Sequence, residues 1–216
     1  MSWYSRERFS LGSQLATLSL VSVLMCGTAQ AEEDASEILK AMTDYVASQK
    51  SIQATFDTDI EVITSELQKV QFASSSTLIL NRPDKIRVSR VGGYANVDLV
   101  FDGKVMSILG KNLNAYSQLE APGSTDDLID RLRTEHGMEA PGSDLLLTTS
   151  YDDLMEDVID EKYIGHGVVG GVECDHLAFR NSDTDWQIWV ERGPKPIPRK
   201  YVITSKAVTG APQYTL

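Results

Sequence analysis

Hydrophobic and polar positions along this chain change period several times, and each change marks an element. Residues 34–51, DASEILKAMTDYVASQKS, place Ile38, Met42, Tyr45 and Val46 on one face at helical spacing, with Leu39 beside them. Asp34, with Glu37 three residues on, is a capping-box-like start. The period then drops to two. In IQATFDTDIEVIT, Ile52, Ala54, Phe56, Ile60 and Val62 share one face, while Gln53, Asp57, Asp59 and Glu61 share the other, as in a strand. VQFASSSTLIL reads as a second long strand, its apolar face diluted by Ser74, Ser75 and Ser76. Asn81-Arg82-Pro83-Asp84 punctuates it as a turn.

Strands are predicted around 86–91, 97–101, 105–109 and 115–119. Asp102-Gly103 predicts a two-residue hairpin, because a type I′ turn needs positive φ. A helical interlude follows. STDDLIDRLRTEHG carries acids in its first turn and Gly137 as its stop; SYDDLMEDVIDE, 150–161, repeats the design with Ser150 and Asp153 as a capping pair. Pro141 and Gly142 separate the two. The last third returns to strands at 163–169, 172–180, 185–191 and 199–207, with Gly170-Gly171 and Gly193-Pro194 at the corners. Strands joined by short turns imply antiparallel pairing. Helices grouped in two places imply packing on one face. The expected fold class is α+β: a strongly curved antiparallel sheet, an unclosed barrel, with helices over its open side. Two stacked sheets would leave the helices without a place.

The first 31 residues look different. Arg6 and Arg8 form a positive start, 15–25 is a short apolar run, and Ala29-Gln30-Ala31 is a small-x-small cleavage pattern. The run is about half the roughly 20 residues that span a bilayer. A signal peptide cleaved after Ala31 is expected, giving a periplasmic protein with a single domain over 32–216 and no stable membrane insertion. Met25 before Cys26 disfavours lipidation, so the mature chain keeps Cys174 alone and forms no internal disulfide. The net charge of −11 grows more negative once the basic leader is gone. Such a surface repels nucleic acid and anionic headgroups, and it serves solubility.

Candidate chemistry concentrates in GVECDHLAFRNSDTDWQIWVERG, 171–193. On a strand, Cys174 and His176 point to one face and Asp175 to the other, with Cys174 and His176 Cβ atoms about 7 Å apart. That is long for a thiolate–imidazolium pair. It suits two ligands of one metal, but zinc needs a third, with His136 and His166 candidates by identity only. Acidic neighbours Glu173 and Asp175 also oppose an activated thiol. A small buried cysteine beside a packed histidine is the preferred reading, and no metal is expected. Asn181-Ser182-Asp183-Thr184-Asp185 imitates half a calcium loop, but Trp186 stands where glycine belongs and Arg192 where glutamate belongs. A hairpin turn accounts for it. Asp57, Asp59 and Glu61 are read as a solvated strand face, and 152–161 as an acidic helix surface. Trp186, Ile188 and Val190 share one face with Trp189 on the other, the pattern of a central strand covered on both sides. Phosphate-cradling glycine motifs and GxSxG elbows are missing from the sequence.

ECDHLAFR, then DWQIWVERG, then PIPRKYVIT resemble a bacterial exported family, domain of unknown function 2092, across most of the chain after residue 31. That family is similar to the lipoprotein carriers LolA and LolB and the mycobacterial lipid carrier LppX. The resemblance implies an unclosed barrel whose helices lid an apolar cavity. It transfers no catalytic or binding residue, since the family has none established. The resemblance implies further strand where this chain stops at Leu216, so either the C-terminus is truncated or the barrel is more open than usual; a missing edge strand would leave unpaired backbone beside Lys200 to Lys206.

The expected function is a periplasmic binding protein that holds a lipid, an acyl chain or another apolar ligand, with lipoprotein or lipid trafficking as its setting. Phe56, Ile60, Val62, Val88, Leu99 and Phe101 are the candidate lining. An envelope sensor that binds a partner protein is the alternative, and an enzyme using Cys174 and His176 is the third. No cofactor is expected.

Overall fold

A computed structural model describes residues 34–138 and 140–216; the expected leader lies outside them. The chain runs α1 (Ala35–Ser48), β1 (Ser51–Ile63), β2 (Lys69–Asn81), β3 (Lys85–Gly92), β4 (Asn96–Phe101), β5 (Val105–Gly110) and β6 (Ala115–Glu120). Then come α2 (Thr125–His136), α3 (Ser150–Met155), β7 (Asp160–Val169), β8 (Val172–Arg180), β9 (Thr184–Glu191), β10 (Pro198–Ser205) and β11 (Gln213–Thr215). Short 3-10 turns lie at Lys111–Leu113 and Ser143–Leu146.

All the strands join one antiparallel sheet in the order β6-β5-β4-β3-β2-β1-β11-β10-β9-β8-β7. β6 and β7 are its free edges, so the sheet is unclosed. Two meanders form its arms. One is β1 to β6 and the other β7 to β10, and β11 is the seam between them. The seam is narrow: β1 and β11 pair only at Asp59↔Thr215 and Ile60↔Tyr214. On its other side β11 pairs with β10 over Val202↔Thr215, Ile203↔Tyr214 and Thr204↔Gln213. Tyr201 and Leu216 add a reciprocal pair of backbone bonds. The expectation of an unpaired edge beside 200–206 is therefore corrected, because the final residues supply the missing strand themselves.

Both hydrophobic clusters lie on the face that the helices cover. In the first, Leu39 and Met42 of α1 meet Leu177, Phe179, Trp186, Ile188, Val190 and Tyr201. In the second, Leu128 of α2 meets Leu78, Leu80, Ile86, Phe101 and Met106. α1 starts where the Asp34 carboxylate accepts the Ser36 N–H. α2 starts with a full capping box: Asp127 N–H donates to the Ser124 hydroxyl, and the Asp127 carboxylate accepts the Ser124 N–H. It stops at Gly137, whose φ of 59° admits glycine readily.

Three local expectations need correction. α3 ends at Met155, not near residue 161, because Val158 packs onto the first cluster and the Ile159 N–H bonds the Arg180 carbonyl. Its cap is Thr149, whose hydroxyl donates to Asp153 at 2.6 Å, and Ser150 is instead buried. The Asp102-Gly103 turn is longer than two residues: Phe101 pairs with Met106, and Asp102 Oδ1 accepts the N–H groups of Lys104 and Val105. That is an Asx turn, which a short acidic side chain forms by copying a backbone acceptor.

Candidate functional site

Side chains alternate along strands, so the register sorts the helix-covered face of β1 to β6 into cross-strand rows. The first row is Ile52, Leu80, Ile86, Phe101, Met106 and Leu119. The second is Ala54, Leu78, Val88, Leu99 and Ile108. Both rows are apolar, and Leu128 and Leu132 of α2 pack into them together with Leu146. The third row changes character: Phe56, Ser76, Arg90, Val97, Gly110. The fourth is small and polar, Thr58, Ser74 and Gly92; the fifth, Ile60 and Phe72, is apolar again.

The candidate lining residues all lie on this face but do not form one wall. Phe56, Val88 and Leu99 are half-buried against the second cluster. Phe101 is 2% exposed, deep inside that cluster. Ile60 and Val62 lie beyond the polar rows, and Val62 is 44% exposed. The lower half of the face is therefore filled by α2. A cavity of about 250 Å³ remains beside the helix, lined by Ile129, Leu132, Arg133, Met138, Asp144 and Ile203 among others. A larger hollow of about 360 Å³ is a groove lined mostly by outward-pointing residues such as Thr55, Asp57, Ser75, Thr77 and Val91, so it is not an interior space.

Two polar devices hold the cover down. Arg82, at the β2–β3 turn, donates through Nη2 to the Leu146 carbonyl at 2.7 Å and through Nε to the Gln49 carbonyl at 3.2 Å. Its Nη1 lies 3.7 Å from Asp126 of α2, which also accepts the Thr148 N–H and hydroxyl. One guanidinium thus ties the ends of α1, α2 and the connection after α2. Below the cavity, Tyr201 donates to Asp144 Oδ2 at 3.4 Å, and the Leu145 N–H donates to Oδ1 at 3.0 Å. Burial pushes the Asp144 carboxyl above the usual range, against the pull of these donors and of Arg133.

The polar rows escaped the pattern reading. Arg90 Nε donates to Ser74 Oγ at 3.0 Å, and its guanidinium carbon lies 5.7 Å from the centre of the Tyr94 ring. Ser74 Oγ and Tyr94 Oη are 3.5 Å apart, and Phe72 meets Tyr94 edge-on at 5.5 Å. Tyr214, pushed up chiefly by burial, is drawn back by Thr58 and Arg90. One signal was available: Ile86, Val88 and Arg90 share a period-two face, so a cation follows two aliphatic positions.

Cys174 and His176 are packed side chains of β8. Cys174 is fully buried, and burial pushes its thiol up. His176 stacks on Trp189 with centroids 4.0 Å apart, and its Nε2 lies 2.9 Å from Gln187 Oε1, which accepts. Asp175, on the opposite face, meets Tyr163, Arg192 and His166. Among the described residues no group of three His, Cys, Asp or Glu is placed to hold a metal. Residues 181–184 close a hairpin, with the Asn181 N–H on the Thr184 carbonyl. Trp189 projects outward, half-buried, beneath Lys200 at 5.1 Å.

A family model described as "Predicted periplasmic protein (DUF2092)" matches residues 35–216. The chain belongs to this DUF2092 family. It is accordingly a periplasmic protein, and among the described residues no helix is long and apolar enough to cross a membrane. No curated protein sequence matches it. Among solved structures it is similar to LppX, a lipoprotein of Mycobacterium tuberculosis, at 12% identity over 84% of this chain and 91% of that one, with a TM-score of 0.45. A LolA superfamily protein from Nitrosomonas europaea is similar at 9% identity over 84% and 89%, with a TM-score of 0.34. The Pseudomonas aeruginosa MucA/MucB complex is similar at 12% identity over 84% of this chain, with a TM-score of 0.45; the chain spans about half, 54%, of the one it matches there.

Proposed function

We propose that this DUF2092 protein is a periplasmic carrier that holds an acyl chain or a similar apolar ligand between α2 and the helix-covered face. One observation carries the reading: α1 lies close on β7, β8 and β9, whereas α2 makes few close approaches to any strand. It rests on the apolar rows through Leu128 and Leu132, with the 250 Å³ cavity at its side. We read a helix whose backbone stands off the strands, held by a few apolar side chains, as a cover that a ligand displaces.

The magnitudes agree. Cavities that hold small-molecule ligands run from roughly 300 to 1,000 Å³, so loading requires α2 to move outward. Uncovering Leu128, Ile129 and Leu132 costs on the order of 1.5–3 kcal/mol each. An acyl chain of about fifteen methylenes gains about 12 kcal/mol at ~0.8 per methylene, before association and ordering costs. Exchange of the protein's own side chains for the ligand's is therefore close to balanced, as suits a carrier that must also release.

The reading is tested by titrating delipidated protein with a fluorescent fatty acid, alongside Ile203→Trp, which fills the cavity from the β10 side. Saturable binding by the parent chain, weakened at least about tenfold in the folded variant, is the expected result. Absence of saturable binding by the parent chain contradicts the proposal.

A further inference from the structure

Arg82, Arg131, Arg133, Arg180, Arg192 and Arg199 each lie within 4 Å of a carboxylate. Arg90 is different. It is half-buried on the helix-covered face, and no ion pair joins it to an acid among the described residues. In a chain with 31 acidic and 20 basic residues, a partly desolvated guanidinium without a carboxylate is a costly arrangement.

Its surroundings are rich in donors. Ser74 and Ser76 are 5% and 6% exposed, and Ser74 takes the Arg90 Nε bond. Thr58 is 1% exposed, opposite Ser74 in the register, and its hydroxyl makes no hydrogen bond of ordinary geometry. The buried Tyr214 phenol lies against this hydroxyl and against Arg90, adding another neutral donor to the cluster. The row of Arg90 continues through Val97 and Gly110, and Gly92 packs so closely on Ser74 that a Cβ there would come 2.8 Å from the Ser74 Cβ. The phenol of Tyr94 completes the ring. What the cluster lacks is a full negative charge, and guanidinium with hydroxyls is the donor set that receives one.

We infer that Arg90, with Thr58, Ser74, Ser76 and Tyr94, binds the anionic head, a carboxylate or phosphate, of an amphiphile whose chain lies on the apolar rows beneath α2. The inference rests on the carrier reading above. Val88 and Leu99 adjoin the cluster on one side, Ile60 and Phe72 on the other, so a chain attached to the head meets apolar surface at once. A free ion gains nothing from these flanks and is repelled at long range by the net charge of −11.

The test compares cis-parinaric acid, its uncharged methyl ester and excess inorganic phosphate as competitor, on delipidated full chain, Arg90→Gln and Arg90→Lys. The acid is expected to bind about tenfold more tightly than the ester, the worth of one charge-assisted bond set. Arg90→Gln brings the acid down to the ester, Arg90→Lys keeps part of the difference, and phosphate competes weakly. Equal affinity for acid and ester in the parent chain overturns the headgroup site while leaving the carrier reading intact, because both probes still bind. Failure of both probes sinks the two together. Displacement of the acid by phosphate, dependent on Arg90, assigns the site to a free ion and overturns the amphiphile. Should Arg90→Gln not fold, the parent chain's ratio of acid to ester and the Arg90→Lys value decide.

Discussion

The Glu61 carboxylate accepts the backbone N–H of Gln213 at 2.8 Å, extending the seam between β1 and β11 beyond its two paired positions. Lys69 Nζ meets the same oxygen at 2.9 Å. A residue that reads as one more acid on a solvated strand face is thus part of what joins the two arms of the sheet.

Glu61→Gln tests the seam. The Lys69 ammonium, and after it the Gln213 N–H, hold the Glu61 carboxyl below its ordinary range. A carboxyl whose folded pKa lies below its unfolded one stabilises above the unfolded value and loses that contribution as pH falls through the folded one. The variant should lose roughly 0.5–1 kcal/mol at neutral pH, seen in urea unfolding. Its deficit should close as the pH drops below the usual glutamate range.

Arg82→Met tests the clasp. It keeps the aliphatic stem but leaves the carbonyls of Gln49 and Leu146 and the Asp126 carboxylate without their donor. Stability should fall by about 2–3 kcal/mol, the cost of stranding partly buried acceptors. Amide exchange should quicken first in 140–149 and α2, ahead of the β1–β2 ladder. Uniform quickening across both arms would show that Arg82 acts on the whole fold and not on the cover.

Asp144→Asn has the opposite sign. Burial raises the Asp144 carboxyl, so the folded state binds its proton more tightly than the unfolded state does. Stability therefore declines as pH rises from the unfolded value near 3.8 through the raised folded value. The amide oxygen still accepts the Leu145 N–H, and its NH2 can donate to the Tyr201 hydroxyl in place of the second carboxylate oxygen. Its melting temperature should exceed the parent's at neutral pH and converge with it in acid. A variant that is less stable at neutral pH would show that the charged form is the one the site favours.

Much of the fold was legible because strand residues alternate. Ile52 to Val62 announced both β1 and its covered face, and Ser124, Asp127 and Gly137 bounded α2. What stayed hidden depended on partners distant in sequence. Gln213 to Thr215 is too short to show a period, and it becomes a strand only because β1 and β10 flank it. Ser74 and Ser76 looked like dilution of an apolar face, because nothing local reveals that Arg90 stands in the next strand. Phe101 was placed in a cavity lining because alternation tells which face a side chain takes, but not that α2 covers it. The covered face is thus visible in the sequence, whereas the helix that fills it and its polar band are products of register.

The most direct measurement is native mass spectrometry of the chain recovered from the periplasm without detergent. The account predicts a population carrying an adduct of lipid mass that organic extraction removes and an added fatty acid restores. A single unadducted mass, unchanged by excess fatty acid, would contradict it.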